Sequence, residues 1–265
     1  AAMKIYTFFV LGAVLVLAIR TGKLKTFWVT GGTAAATWVL VNLPYALAFP
    51  DSFMHFFNFS SERGAGFSSF WHAWNVIADN REGVPLFEAE QISRYGLILF
   101  FLCCAGVAVL GLTAKRTPRL ASMAFLIIAS FVMVNKVYSP QFVVWLIPLF
   151  ALALPRWREF VIWMLVEIAH FYGVWYYLDS LSAEEVQKAF PETGYAVLVL
   201  AHMVMLGYLM FLVARSMLDP RHDPVRAVGQ DDPLAGPFAG LEDRWTLRGL
   251  LPQAKQEKEA AGKKP

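Results

Sequence analysis

The chain has 265 residues, 57% of them apolar and 16% charged, with a formal net charge of +3. A soluble domain carries about 25% charged residues, so the composition excludes an ordinary soluble protein and predicts an all-α, polytopic transmembrane bundle. Cys103 and Cys104 are adjacent within an apolar run, which rules out a spaced disulfide framework or a CxxC metal site. They read as small buried residues.

In chain order, Ala1-Ala2-Met3-Lys4 lead straight into an apolar helix, with no basic n-region or cleavage site of a signal peptide. This start is expected to belong to the C-terminal part of a longer membrane protein. Seven apolar segments follow, at 5–19, 27–49, 95–112, 120–134, 142–154, 160–178 and 195–214. A span needs about 20 apolar residues, so 5–19, 120–134 and 142–154 are short. Alternate connections are basic: 20–26 holds Arg20, Lys23 and Lys25, and 113–119 holds Lys115, Arg116 and Arg119. Arg156 and Arg158 follow in 155–159, and Arg215, Arg221 and Arg226 open the tail. The loops between them, 50–94 and 179–194, are acid-rich. The positive-inside rule then places Ala1 outside, loop 50–94 outside and Pro265 in the cytoplasm. The predicted organisation is a transmembrane domain over 1–214 and a cytoplasmic tail over 215–265 in a plasma-membrane, multi-pass protein. The tail is rich in Asp, Pro, Gly, Lys and Glu and reads as largely disordered, with a peripheral helix expected around Leu241–Leu251.

Two of the most apolar segments, 120–134 and 142–154, are separated by "NKVYSPQ", residues 135–141. At ~1.5 Å per residue they cover only about 22 and 20 Å of a ~30 Å hydrocarbon core. The break must therefore lie at or below the outer membrane boundary. Pro140 lacks an N–H and drives Ser139 out of helical geometry. Unwound backbone at that depth is tolerated only inside protein or beside a watered cavity. An unpaired ammonium at Lys136 costs on the order of 2.5–3.5 kcal/mol there. Either Lys136 snorkels to the interface while Gln141 makes structural hydrogen bonds, or Lys136, Tyr138, Ser139 and Gln141 bind a phosphate.

The segment "NKVYSPQFVVWLIPL" resembles the Lys-x-Tyr-Ser-Pro-Gln-aromatic segment of bacterial GT-C superfamily membrane glycosyltransferases, and the actinobacterial group related to polyprenol-phosphomannose-dependent α-1,2-mannosyltransferases in particular. "AAMKIYTFFVLGAVLVLAIRTGK" is similar to that group's Lys-x-Tyr helix start and basic turn, and "NFSSERGAGFSSFWHAW" to its Arg-Gly…Ser-x-Trp loop. The resemblance implies transfer of a hexose, mannose by family analogy, from a polyprenyl-phosphate donor to an extracytoplasmic lipid or glycan acceptor in cell-envelope synthesis. It also implies a catalytic Asp in a first outer loop, which is expected upstream of Ala1. Lys136 and Arg63 would stabilise the leaving phosphate, as an inverting transfer needs. Membrane lipids are expected partners and nucleic acid is not. No Asp/Glu/His spacing argues for a metal.

The remaining polar residues admit two readings each. Arg63, Ser69, Trp71 and His72 belong either to an interfacial aromatic helix or to a site in which Arg63 meets a phosphate and Ser69, Trp71 and His72 meet a sugar or acceptor. Glu62 is a substitute base or a solvated acid beside an arginine. Lys4 and Tyr6 lie at the outer mouth of the first helix, where Lys4 snorkels or contributes to the donor pocket. Glu167 and His170 share a helix face at i,i+3 and read as interhelical hydrogen bonding, with His202 an isolated packing residue. A transporter or flippase for a lipid-linked or anionic substrate also uses broken helices, although the two halves show no internal repeat. A non-catalytic membrane scaffold is the third possibility.

Overall fold

The computed structural model describes residues 5–78, 87–181 and 191–250. Lys4 lies outside the described residues. The described chain is all-α, without strands. A 3-10 turn at Ile5–Val10 runs into α1 (Leu11–Thr21), followed by α2 (Leu24–Ala48), α3 (Pro50–Glu62), α4 (Phe70–Ala78) and α5 (Ala89–Thr113). Then come α6 (Leu120–Val134), α7 (Val143–Ala153), α8 (Trp157–Leu181), α9 (Glu192–Leu218) and the single turn α10 (Pro224–Ala227).

The ends of these helices follow from local chemistry. Gly22, at φ 71°, ends α1 by donating to the Ala18 and Ile19 carbonyls, a left-handed cap that glycine adopts without a Cβ clash. Pro50 occupies the first turn of α3, where its missing N–H costs nothing, and the chain bends by 110° between α2 and α3. Glu88 and Gln91 form a reciprocal capping box at the start of α5.

The expectation of seven spans is corrected by these lengths. Three helices, α5, α8 and α9, are long and apolar enough to cross a membrane, and α2 with α3 makes a fourth if that bent pair is one span. By length and composition these apolar helices could span a membrane, which is consistent with a membrane protein. The other apolar segments, Tyr6–Thr21, Leu120–Val134 and Pro140–Ala153, are short, each reaching less than ~25 Å at helical rise. Of these, α6 serves the interior: 11 of its 15 residues are buried, Phe125 and Ile128 completely. Around it pack α1, α5, α7 and α9, so α6 is the hub of the main core. By contrast α2 buries only Asn42.

The tail is the second correction. Residues 219–250 lie against one end of the bundle, where composition predicts a solvated chain. Their acids meet basic and amide groups: Asp223 pairs with Arg119, Asp243 with Arg20, and Asp232 accepts from the Leu120 N–H. Phe238 is buried in the main core. Over the expected helix at Leu241–Leu251, the structure has non-helical chain up to Leu247 and a 3-10 turn at Arg248–Leu250. Residues 251–265 lie outside the described residues. Arg20 and Arg119, counted among loop charges from sequence, are 1% and 2% exposed.

Candidate functional site

The break after α6 lies at the end of the bundle away from the tail. Asn135 leaves helical geometry, with its Nδ2 donating to the Val137 carbonyl at 3.0 Å, and Ser139 is extended before the 3-10 turn Pro140–Phe142. The loop after α3 lies on it, the Gly66 N–H donating to the Lys136 carbonyl at 2.7 Å. A Cβ at Gly66 would sit 3.4 Å from both that oxygen and Val137 Cα, so the small residue permits the close approach.

Lys136 Nζ donates to the Ser61 carbonyl at 3.1 Å and to Ser93 Oγ at 3.0 Å. Two of its three N–H groups are thus engaged, both by neutral oxygens. Burial, and after it the charge of Arg63, push the ammonium below the usual lysine value. Arg63, the exposed residue ending α3, stands two residues after the Ser61 whose carbonyl holds Lys136.

Lys136, Asn135 and Ser93 form the polar end of a groove of about 460 Å³ between the 3-10 turn of the N-terminal helix, α5 and α6. The rest of its wall is apolar, including Phe9, Ile92, Phe100, Phe131 and Gly12. Gly96 faces the end of α6 so closely that a Cβ there would meet the Val134 carbonyl at 3.0 Å.

The other expected members of the phosphate site separate from Lys136. Tyr138 is 2% exposed and packs on the opposite partners, with its ring 4.5 Å from that of His202 and 6.4 Å from that of His170. Its hydroxyl lies beside the Glu167 carboxylate. Ser139 is half-buried and Gln141 exposed, and neither lines the groove. The bend at 135–136 is what sends neighbouring side chains to different sides. Glu62 is exposed, one residue beyond the Ser61 carbonyl that holds Lys136.

No protein-family model, curated protein or solved structure matches this chain.

In the outer-loop set, packing takes most of the polar groups. Trp71 is 4% exposed, and its indole N–H donates to the Val134 carbonyl at 2.9 Å. That bond ties α4 to the end of α6. Ser69, completely buried, caps α4: its Oγ donates to the Gly66 carbonyl at 2.7 Å and accepts the His72 N–H at 3.2 Å. Thus α4 is packed against α9, where an interfacial helix was one reading. His72 is half-buried among Phe67, Tyr177 and Tyr195. Burial lowers its pKa, with Glu192 opposing. Tyr6 stacks on Trp145 at 3.9 Å.

Two groupings were invisible in the sequence. Near His72, Tyr177 and Tyr195 stack at 4.3 Å, Tyr177 Oη donates to Glu192 at 3.0 Å, and Ser68 shares a 3.2 Å hydrogen bond with Tyr195. Deeper in the bundle, His202 is no isolated packing residue. It joins Glu167 and His170 in a buried set whose donor atoms all lie within 4.8 Å of one another. The i,i+3 spacing of Glu167 and His170 was a partial signal; nothing in the sequence pointed from α8 to α9.

Proposed function

We propose that the protein is a membrane glycosyltransferase of the GT-C type. In this reading it takes a sugar from a polyprenyl-phosphate donor and passes it to an acceptor on the outer face of the plasma membrane. One observation carries the reading: a lysine held by two neutral oxygens, with an arginine nearby, at the polar end of an otherwise apolar groove. A prenyl chain suits the apolar wall, and a phosphate suits the two cations. The alternating charge of the loops supports the outward placement of that end.

The chemistry follows from charge. As the acceptor hydroxyl attacks the anomeric carbon, the bond to the phosphate oxygen breaks and its electron pair leaves with the phosphate. Lys136 and Arg63 stabilise that developing charge. A carboxylate must take the acceptor proton. Glu62, exposed and next to Arg63, is the acid nearest in sequence to this pair of cations.

The test reconstitutes the full protein in nanodiscs with a radiolabelled polyprenyl-phosphate sugar. Saturable binding that weakens in Lys136→Ala, together with sugar transfer to an added acceptor, is the expected result. Binding with transbilayer movement of the intact donor and no sugar release supports the translocation reading instead. Equal binding by wild type and Lys136→Ala removes the phosphate role.

A further inference from the structure

We infer that Glu167, His170 and His202 form a binding site for a divalent transition-metal ion of the zinc class, clamping α8 to α9 beneath the chain break. The site shares no residue with the groove lined by Lys136 and binds its ion independently of any donor.

All three side chains are at least nine-tenths buried, at 6%, 1% and 0% exposure. Glu167 Oε2 lies 3.9 Å from His170 Nδ1 and 3.6 Å from His202 Nδ1, too far for hydrogen bonds. Both ring nitrogens of His170 and both of His202 are without a hydrogen-bond partner, and neither Glu167 Oε2 nor the Tyr138 hydroxyl, which lies beside the Glu167 carboxylate, has one of ordinary geometry. Buried polar atoms are normally satisfied, so five unsatisfied atoms on three neighbouring side chains call for a shared partner. A proton serves one pair at a time, whereas a metal ion serves all three residues.

The donor chemistry is that of zinc: two imidazoles and one carboxylate, a His2Glu set that leaves a fourth position open. Ligands at ~2.0–2.1 Å from a tetrahedral ion are roughly 3.4 Å apart. The two separations from Glu167 Oε2, 3.9 and 3.6 Å, need only a small contraction. The His170 and His202 rings stack at 3.9 Å and 6°, and this stack must tilt open so that both lone pairs converge on the ion.

The surroundings are built to orient the carboxylate. Trp163, completely buried, donates its indole N–H to Glu167 Oε1 at 2.9 Å. That bond holds one oxygen back and leaves Oε2 turned to the histidines, the arrangement by which an outer partner tunes a metal ligand. Tyr138 closes the site from the break, its ring edge against His202. His202 is ten residues into α9, roughly 15 Å from its start at helical rise, so the site is deep in the bundle.

The test purifies the full chain in nanodiscs, strips it with a chelator, and measures zinc by mass spectrometry after titration and desalting. Cobalt(II) substitution adds a ligand-field spectrum that reports tetrahedral coordination directly. The expected result is about one ion per chain and a tetrahedral cobalt band in the wild type. His72→Ala, a half-buried histidine outside the set, retains both. Glu167→Gln and His202→Ala lose stoichiometric binding. Trp163→Phe keeps the ligands and weakens affinity about 10-fold or more, and His202→Cys, a ligand exchange, recovers an ion with a sulfur-to-cobalt charge-transfer band. A folded wild type that binds neither zinc nor cobalt overturns the proposal, as does binding unchanged in folded Glu167→Gln or His202→Ala. If those two variants fail to fold, the wild-type cobalt spectrum and Trp163→Phe decide the matter by themselves.

Discussion

Arg119 donates from Nε to Asp223 Oδ2 at 2.8 Å across a sequence separation of 104 residues, with side chains only 2% and 4% exposed. The same guanidinium reaches the carbonyls of Leu152, at 2.7 Å, and Ala153. One arginine thereby satisfies the frayed end of α7 and fixes the tail to the bundle. Removing one partner of a buried pair leaves the other uncompensated, at a cost of about 3–5 kcal/mol. Asp223→Ala is expected to destabilise by that order, read as a fall in the midpoint of thermal or denaturant unfolding. Arg119→Met with Asp223→Leu should recover a substantial part, because the double change removes both charges of this pair while Arg226 keeps its 2.9 Å bridge to Asp231.

The Arg20 pair responds to pH. Burial alone would raise the Asp243 carboxyl, but hydrogen bonds from Arg20 and Thr117 outweigh it and hold its pKa below the ordinary value. A carboxylate depressed in the folded state stabilises above its unfolded pKa and loses that contribution as pH falls through the folded one. Between pH 5 and 7 the tail contact should be unchanged, and below about pH 4 it should weaken. Amide exchange of Arg244 and Trp245, whose N–H groups donate to the Arg20 carbonyl, is the measurement.

His72 gives a second test, of the same sign and at milder pH. Burial lowers its pKa from 6.5, so the unfolded chain takes up the proton first. Stability is complete above about pH 6.5 and declines as pH falls below it. Unfolding midpoints compared between pH 7.5 and 5.5 should fall less in His72→Gln than in the wild type.

Two glycines of α5 separate packing from propensity. At Gly96 a Cβ meets the Val134 backbone oxygen at 3.0 Å, while at Gly106 it meets nothing within 4 Å. Gly96→Ala is expected to destabilise by about 1–3 kcal/mol through overpacking and to disturb the Lys136 loop. Gly106→Ala should stabilise by roughly 0.5–1 kcal/mol. Unfolding in matched detergent, with donor binding as a second readout, distinguishes them.

For the donor site itself, Lys136→Ala should lower polyprenyl-phosphate affinity by about 10–100-fold, since a hydrogen bond to a charged group contributes about 1.5–3 kcal/mol. Lys136→Arg should retain part of it. Ser93→Ala leaves the charge and removes one anchor, so its effect should be the smaller of the two. Equilibrium binding in nanodiscs gives all three values.

Helical class, the apolar segments, the position of the helix break and the alternation of loop charge were determined by the sequence alone, because each depends on residues adjacent along the chain. Pro140 was enough to place a helix break after 120–134, and Tyr138 in that break reaches residues well inside α8 and α9. Tertiary structure decided which short apolar helix is interior, since burial of α6 depends on four neighbours that its own composition does not name. It also decided that Lys136 and Tyr138, two residues apart, serve different sites, because a local bend divides them. The docking of the tail through Asp223 and Asp243, and the meeting of Glu167 with His202 across two helices, are long-range pairings. Composition averages such pairings away, and only the packed chain selects them.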